Sequence, residues 1–499
     1  MREAEGAVVP ALESRAAATA PAATTRHRWM LPMLLAGQAM AAMDTSIANV
    51  AAPSLRADLG VSGALLQMAV AGYGLAYAVF LITGARLGDL YGYRRLFVIG
   101  VALFTGSSLT CGLAPTTALL IVSRFAQGVG AALLVPQVLS LIQRNFDGND
   151  RARAIGYYSM ILGLGSTAGQ LLGGLLVTLD LHGLSWRPAF LINVPIGIAL
   201  IAYARSVLPE GKADERRRLD ITGVVALSAA MLAIVVPLTF GREVHWQTWT
   251  WMTLLLGVVG LVGFWLYEKS LTYGGGSPLL NLEAVLTSGI RPGLLVVAIG
   301  FIGYGGWLFA TALYLQSGLG YSAMTSGLVF TAYAFGFGIA NVHWSKLPAK
   351  SLRWIPVASL VVMVFANVLF GVTAIRAGWV AALMVPLLFL AGSSHGLTYG
   401  TTVHQMTLRI ARVHAPALSG LVTTAVQLSI VIGIAALGTL FLATAQPAAA
   451  ETASRAMSHV TFAIAAGALI AIACSLRLAT VRTAAVPIPQ GSAAPDAKR

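Results

Sequence analysis

Residues 64–95 read ALLQMAVAGYGLAYAVFLITGARLGDLYGYRR. From Ala64 to Ala85 there is no Asp, Glu, Lys, Arg or His, and then Arg86, Asp89, Arg94 and Arg95 follow within a few residues. A helix crosses the hydrocarbon core with roughly 20 apolar residues. Lipid offers backbone N–H and C=O groups no partner, so a span of this kind must satisfy them internally. The same unit, a long apolar run closed by a short arginine-bearing loop, recurs about fourteen times along the chain. The runs fall at 30–53, 64–84, 96–114, 117–143, 154–178, 188–207, 221–240, 250–267, 292–316, 323–342, 354–374, 378–403, 416–443 and 457–478. The fold class is an all-α polytopic membrane protein.

Composition agrees: 57% of residues are hydrophobic and 10% charged, against roughly 25% charged in a soluble domain. The formal net charge of +14 does not point to nucleic acid, because the basic residues are spread one loop at a time. With an even number of spans, 26 of the 32 Lys and Arg lie on the side of the termini. Five lie opposite (Arg56, Arg187, Arg242, Arg376, Arg455), and Arg124 sits inside a span. That asymmetry puts both termini in the cytoplasm of a cell membrane protein. The two cysteines, Cys111 and Cys474, build neither a zinc site nor a disulfide framework.

The runs group as an expected disordered cytoplasmic tail (1–28, without the features of a signal peptide) and a six-helix bundle (29–207). A basic cytoplasmic linker (208–219) and two inserted helices with their loop (220–290) come next. A second six-helix bundle (291–480) and a second tail (481–499) complete the chain. The linker, with Arg216, Arg217 and Arg218, reads as a solvated connector, with anionic lipid as the competing partner.

An ionisable residue inside the membrane is a functional candidate by default. Asp44 is the one acid well inside an apolar run, and Arg124 is the matching base. Asp44 reads as a reversible proton carrier; the competing reading is a structural acid bonded to Ser or Thr, or a helix cap. Arg124 reads as a coupling partner or as the holder of a polar network. Gly163, Gly165, Gly169, Gly173 and Gly174 crowd one span. Gly165 and Gly169, one turn apart, flatten a helix face for close backbone approach. The loop Gly84–Arg95 combines turn glycines with Asp89 and the pair Arg94 and Arg95, which could latch the cytoplasmic side.

Together these residues resemble the major facilitator superfamily, in its fourteen-span drug:proton antiporter branch. Gly88, Asp89, Gly92, Arg94 and Arg95 look like motif A (G-x-L-x-D-x-x-G-x-R/K-R/K). Arg124, Gln127, Gly128 and Gly130 match motif B, and Gly165, Gly169, Gly173 and Gly174 resemble motif C, the antiporter signature. Asp44–Pro53 is similar to D-x-T-I-V-N-V-A-L-P, and Trp186–Pro195 to W-R-W-x-F-x-x-N-x-P. Gln427, Gly433 and Gly438 fit the penultimate span more loosely. The chain departs at Ala85, Leu90 and Tyr93 of motif A, at Gln170, where motif C usually has proline, and at Pro188.

The resemblance implies two six-helix bundles plus two inserted central helices, fourteen transmembrane helices in all, with a central cavity between the bundles. Candidate lining residues are Gln67, Tyr73, Tyr77, Gln137, Tyr304, Trp307, Tyr314, Gln316, Tyr333, His395, Tyr399 and Gln427. It implies proton-coupled efflux of a hydrophobic or amphipathic drug, antibiotic or related natural product across a bacterial inner membrane. A proton-coupled importer, a uniporter and a transport-dead sensor are the alternatives. Partners are then the small molecule, protons and membrane lipids, with a monomer expected. No Walker motif or His-Glu-x-x-His pair appears, so neither an enzyme nor an ATP-driven pump is expected, and no cofactor, metal or nucleic acid.

Overall fold

A computed structural model of the chain describes residues 9–210, 220–274, 276, 285–348, 350–377, 380–410, 415–445 and 449–480. The linker residues 211–219 and the expected C-terminal tail lie outside them. The helices are α1 (Val9–Leu59), α2 (Gly63–Tyr91), α3 (Tyr93–Gly112), α4 (Thr117–Asn145), α5 (Gly148–Leu179), α6 (Pro188–Val207, broken at Ile192) and α7 (Ile221–Phe240). They continue as α8 (Thr248–Tyr273), α9 (Ile290–Leu313), α10 (Ala323–His343), α11 (Ile355–Ala377), α12 (Ala381–Thr407), α13 (Ala415–Thr444) and α14 (Ala450–Thr480). No strand occurs among the described residues.

Among the described residues, twelve helices are long and apolar enough to cross a membrane by length and composition. The expected fourteen therefore stand as twelve on that criterion, with α1 and α5 outside it. The physical reason in α1 is its buried polar content: Gln38, Asp44, Ser46 and Asn49 lower its hydropathy while facing protein. In α5 the described stretch Leu164–Leu179 is apolar but shorter than the criterion asks. Helix α1 also begins at Val9, inside the segment expected to be a disordered tail. Its alanines, the best helix formers, carry the first span's helix outward.

The turns between helices have local causes. Ser62, Thr116 and Ser322 cap α2, α4 and α10, each side chain accepting the backbone N–H three residues on. Asp220 does the same for α7, accepting from Gly223 N at 2.8 Å. Gly92 joins α2 to α3 with φ +95°, a conformation that a side chain strains.

The packing repeats between halves. In the first, α1 lies on α5, α2 on α4 and α3 on α6; in the second, α9 lies on α13, α10 on α12 and α11 on α14. The halves then meet through α5 on α10 and α2 on α13, two contacts that the same repeat relates to each other. This is the arrangement that an internal duplication produces. The closest approaches repeat as well. A Cβ on Gly169 would lie 2.3 Å from the Met43 carbonyl oxygen across α1–α5, and one on Gly433 2.1 Å from that of Ile302 across α9–α13.

The inserted helices α7 and α8 pair with each other, and α7 also touches α2 and α13. The Glu243 carboxylate accepts from Ala64 N at 2.9 Å, and the Thr439 hydroxyl donates to Leu238 O at 2.9 Å. Leu255, Leu256, Val259, Val262 and Leu266 leave α8 with an exposed apolar face, the surface that a lipid neighbour satisfies.

At the end of α1, Asp58 accepts from Arg187 Nη1 at 2.7 Å and from Trp186 Nε1 at 3.0 Å. The Arg187 hydrogen bond, then that of Trp186, holds this carboxyl below its ordinary range. A depressed acid contributes stability above its unfolded pKa, about 3.9, and loses it as pH falls through the lower folded value. Thermal midpoints measured from neutral pH down through that window should fall further for the wild type than for Asp58→Asn. Overpacking of a tight core contact costs about 1–3 kcal/mol, so Gly169→Val should lower the unfolding midpoint by intrinsic fluorescence. Gly106→Ala, with nothing within 4 Å of its Cβ position, should not.

Candidate functional site: a buried ion pair and an aromatic seam

Asp44 lies on α1 in mid-bundle, fully buried, and Arg124 on α4 is 1% exposed. They form an ion pair, Arg124 Nη1 to Asp44 Oδ2. The other carboxylate oxygen accepts from Gln127 Nε2 at 2.8 Å and from Asn193 Nδ2 at 3.2 Å. Gln127 stands three residues after Arg124, hence on the same face of α4, and its Oε1 accepts from Arg124 Nη1 at 2.7 Å. Arg124 Nε donates to Ala69 O on α2 at 3.2 Å. Its guanidinium carbon lies 4.7 Å from the Tyr73 ring centroid and 5.4 Å from that of Phe190. Ser108 on α3 accepts from Gln127 at 2.7 Å. Five helices of the first half thus contribute to one charge pair.

Burial explains why so many groups converge. An ion brought out of water is tolerated only when paired and hydrogen-bonded on its remaining sites. A proton taken up by Asp44 removes the charge opposite Arg124 and turns one acceptor oxygen into a donor. The present set of bonds uses both oxygens of the carboxylate as acceptors.

A second cluster lies where the halves meet. Ser46, two residues after Asp44, hydrogen-bonds Ser166 on α5, whose hydroxyl is 3.4 Å from that of Tyr304 on α9. Behind Tyr304, Trp307 and Tyr333 stack with centroids 4.5 Å apart and planes at 20°. The Tyr333 hydroxyl is 2.8 Å from His395 Nδ1, and Phe301 and Phe337 edge onto the imidazole. Tyr399 packs on Phe301 and Phe337.

The other candidate residues divide by what they touch. Tyr73 donates to Ala41 O and its ring faces Arg124, so it serves the ion pair, with Tyr77 packed beside it. Gln137, expected to line the cavity, instead donates to Gly84 O and Leu133 O and fills the space left by Gly88. The backbones of α2 and α4 come too close there for anything but a packing amide. Gln67, also expected in the cavity, donates to Ile434 O and accepts from Thr439, tying α2 to α13. Gln316 donates across the halves to Val50 O. Tyr314 is buried within the second half, its hydroxyl 3.4 Å from Ser454. Gln427 is 9% exposed on α13.

In the α2–α3 loop, Asp89 accepts from the Tyr93 hydroxyl at 2.7 Å, which in turn accepts from Arg144 at 3.0 Å. Tyr93, at a position where motif A usually carries a basic residue, relays the acid to an arginine one helix away. Arg94 pairs with Glu210 and reaches Leu208 O, while Arg95 is exposed. Gly165, Gly169 and Gly173 meet α1 at Ala42, Met43 and Ile47, and Gly174 meets Ala323 and Met324 of α10.

Three residues were not among the expected site residues. Asn193 and Ser108 complete the Asp44 site; Asn193 is the asparagine of the Trp186–Pro195 motif, while the signal for Ser108 is only a hydroxyl inside an apolar run. Glu268 is fully buried on α8, one residue past the expected end of its span, which runs on to Tyr273.

The model of the Major Facilitator Superfamily matches residues 34–434. The chain belongs to that superfamily. It is a membrane-embedded transporter rather than an enzyme. It is 36% identical over 423 residues to a probable actinorhodin transporter of Streptomyces coelicolor, covering 83% of this chain and 72% of that one. It is 33% identical over 428 residues to the cephamycin export protein CmcT of Amycolatopsis lactamdurans, covering 82% and 84%. The multidrug resistance protein Stp of Mycobacterium tuberculosis is 32% identical over 413 residues, covering 82% and 74%. Among solved structures, a bacterial homologue of the human lysosomal transporter Spinster superposes with a TM-score of 0.62 at 16% identity, covering 91% and 96%. The xylose transporter XylE from E. coli gives 0.59 at 12%, covering 88% and 95%. At these identities the two structures support the fold alone.

Removing one member of a buried pair costs about 3–5 kcal/mol, whereas replacing both with apolar residues is often neutral. Unfolding midpoints should therefore show Arg124→Leu well below Asp44→Leu/Arg124→Leu. Additive losses would contradict the pairing.

Proposed function

We propose that this chain exports a hydrophobic drug, antibiotic or related natural product across the cell membrane in exchange for protons. The observation that carries the proposal is the Asp44 carboxylate, buried at mid-bundle with Arg124, Gln127 and Asn193 bonded to it. A buried intramembrane acid facing a buried intramembrane base is the minimum equipment for binding and releasing one proton per cycle. The relatives' names, actinorhodin transporter, cephamycin exporter and multidrug resistance protein, support organic cargo and outward direction.

All fourteen helices cross the membrane in this reading, with both termini cytoplasmic. Helices α1 and α5 belong to the set because each pairs along its length with the other and α5 carries the seam with α10. The six-helix halves rock about the seams α5–α10 and α2–α13. Protonation of Asp44 rearranges the Arg124 network and favours one facing; substrate bound at the aromatic seam favours the other. The contacts between Ser46, Ser166 and Tyr304 connect the two events across the halves.

In proteoliposomes carrying an imposed proton gradient and a pH-sensitive dye, amphipathic drugs should drive proton movement through the wild type. Asp44→Asn should fold and bind drug yet lose gradient-driven transport by at least tenfold, and Arg124→Ala should do the same. Undiminished concentrative transport by Asp44→Asn would remove the proton role, and accumulation of drug with the opposite sidedness would make the protein an importer.

A further inference from the structure

The repeat that relates the halves can be followed residue by residue at the ion pair. Gly169 closes on the Met43 carbonyl as Gly433 closes on that of Ile302, so the next residues along α1 and α9, Asp44 and Gly303, correspond. A Cβ on Gly128 would collide with the Tyr73 carbonyl oxygen, and one on Gly392 with that of Tyr333. Tyr333 is therefore the counterpart of Tyr73. Four residues before each of these glycines, Arg124 corresponds to Leu388; one residue before, Gln127 corresponds to Ala391. Gly112 of α3 presses on α6 at Leu191, and Gly371 of α11 on α14 at Thr461 and Phe462. Four residues earlier, Ser108 corresponds to Asn367.

These counterparts meet again in the second half. Gly303, Tyr333, Asn367, Leu388 and Ala391 line a single cavity, together with Ile464 of α14. Ile464 Cγ2 would stand 3.2 Å from a Cβ on Gly303, the side from which Asn193 of α6 reaches Asp44 in the first half. No charged side chain lines this cavity among the described residues. The acid is matched by a hydrogen, the base by a leucine and the bridging amide by a methyl. Absence of both charges is the tolerable outcome, since one alone would be buried without its partner. Trp307, one turn beyond Gly303 on α9, lines the same cavity, and its Nε1 is buried with no hydrogen-bond partner among the described residues. That group can only donate, and residue 303 lies on the same helix face.

We propose that this cavity is a second ion-pair site, kept in the shape of the Asp44–Arg124 site and left uncharged, which accepts a carboxylate at 303 only together with a guanidinium at 388. The paired charge is thereby confined to the first half. Tyr333, whose counterpart Tyr73 faces Arg124, instead gives its ring to Trp307 and its hydroxyl to His395. The inference rests on the repeat and the cavity and does not depend on the export reading.

The test is a double-variant cycle on the purified full chain in detergent, read as the thermal unfolding midpoint. Gly303→Asp and Leu388→Arg should each lower the midpoint, because each buries a charge without its partner. Gly303→Asp/Leu388→Arg should regain at least half of the summed loss. Gly303→Asp/Leu390→Arg, with the arginine on the same helix but outside the cavity lining, should regain none. Where the charged single variants give no folded protein, a monodisperse double variant is the same result. A neutral cycle, Gly303→Asn with Ala391→Gln, repeats the Asp44–Gln127 contact without charge and decides the matter if the charged double variant does not fold. Its double variant should melt above the value that additivity gives. Additive losses in the deciding cycle, or equal recovery with Leu390→Arg, overturn the proposal. Proton-driven export is read separately, by the Asp44→Asn transport assay.

Discussion

The constraint on which the first half depends is that a carboxylate and a guanidinium sit together where no bulk water reaches them. Asp44 and Arg124 are tolerable there because α2, α4 and α6 each bring a group to one or the other, while Ser108 of α3 holds Gln127 and Asn193 in place. The requirement works in both directions. The pair demands that five helices hold a fixed mutual geometry, and the proposed exchange would act on that geometry by protonating Asp44. A buried pair of this kind is weak evidence for stability and better evidence for a switch.

Around that pair the architecture is economical. Close backbone contacts at Gly169 in one half and Gly433 in the other occupy related positions in related helix pairs. Bodies packed this tightly move as units, because a contact without side chains has no rotamers through which to yield. The rocking proposed above would therefore take place at the seams α5–α10 and α2–α13. The polar chain from Ser46 through Ser166 to Tyr304 runs from α1 through α5 to α9, between the halves, and starts two residues along α1 from Asp44.

Much of this was legible in residues alone, for physical reasons. Charge is so costly in lipid that Asp44 and Arg124 stand out from any apolar run, and glycine spacing in α5 announces a flat face. Amides are harder to read. Gln67 and Gln137 look like cavity residues in the sequence, but an amide serves as well to stitch neighbouring backbones, and only coordinates separate the two uses. Span counting by hydropathy fails for α1 in the same way, since its polar residues face protein and a one-dimensional average cannot tell inside from outside. The Tyr93 relay between Asp89 and Arg144 looks like a lost charge in the motif until the third partner is seen.

The inserted hairpin has a mechanical consequence. Its connecting turn holds α2 through Glu243, and α7 holds α13 through Leu238, so one strap is fastened to both leaves of a hinge. When α2 and α13 separate, the strap must let go of one leaf and travel with the other. Each hydrogen bond released is worth about 0.5–1.5 kcal/mol, a bias comparable with the few kcal/mol that set the populations of transporter conformers. In the proposed cycle the two extra helices would act as ballast on the closed side, and their apolar outer face would make the surrounding bilayer part of the weight.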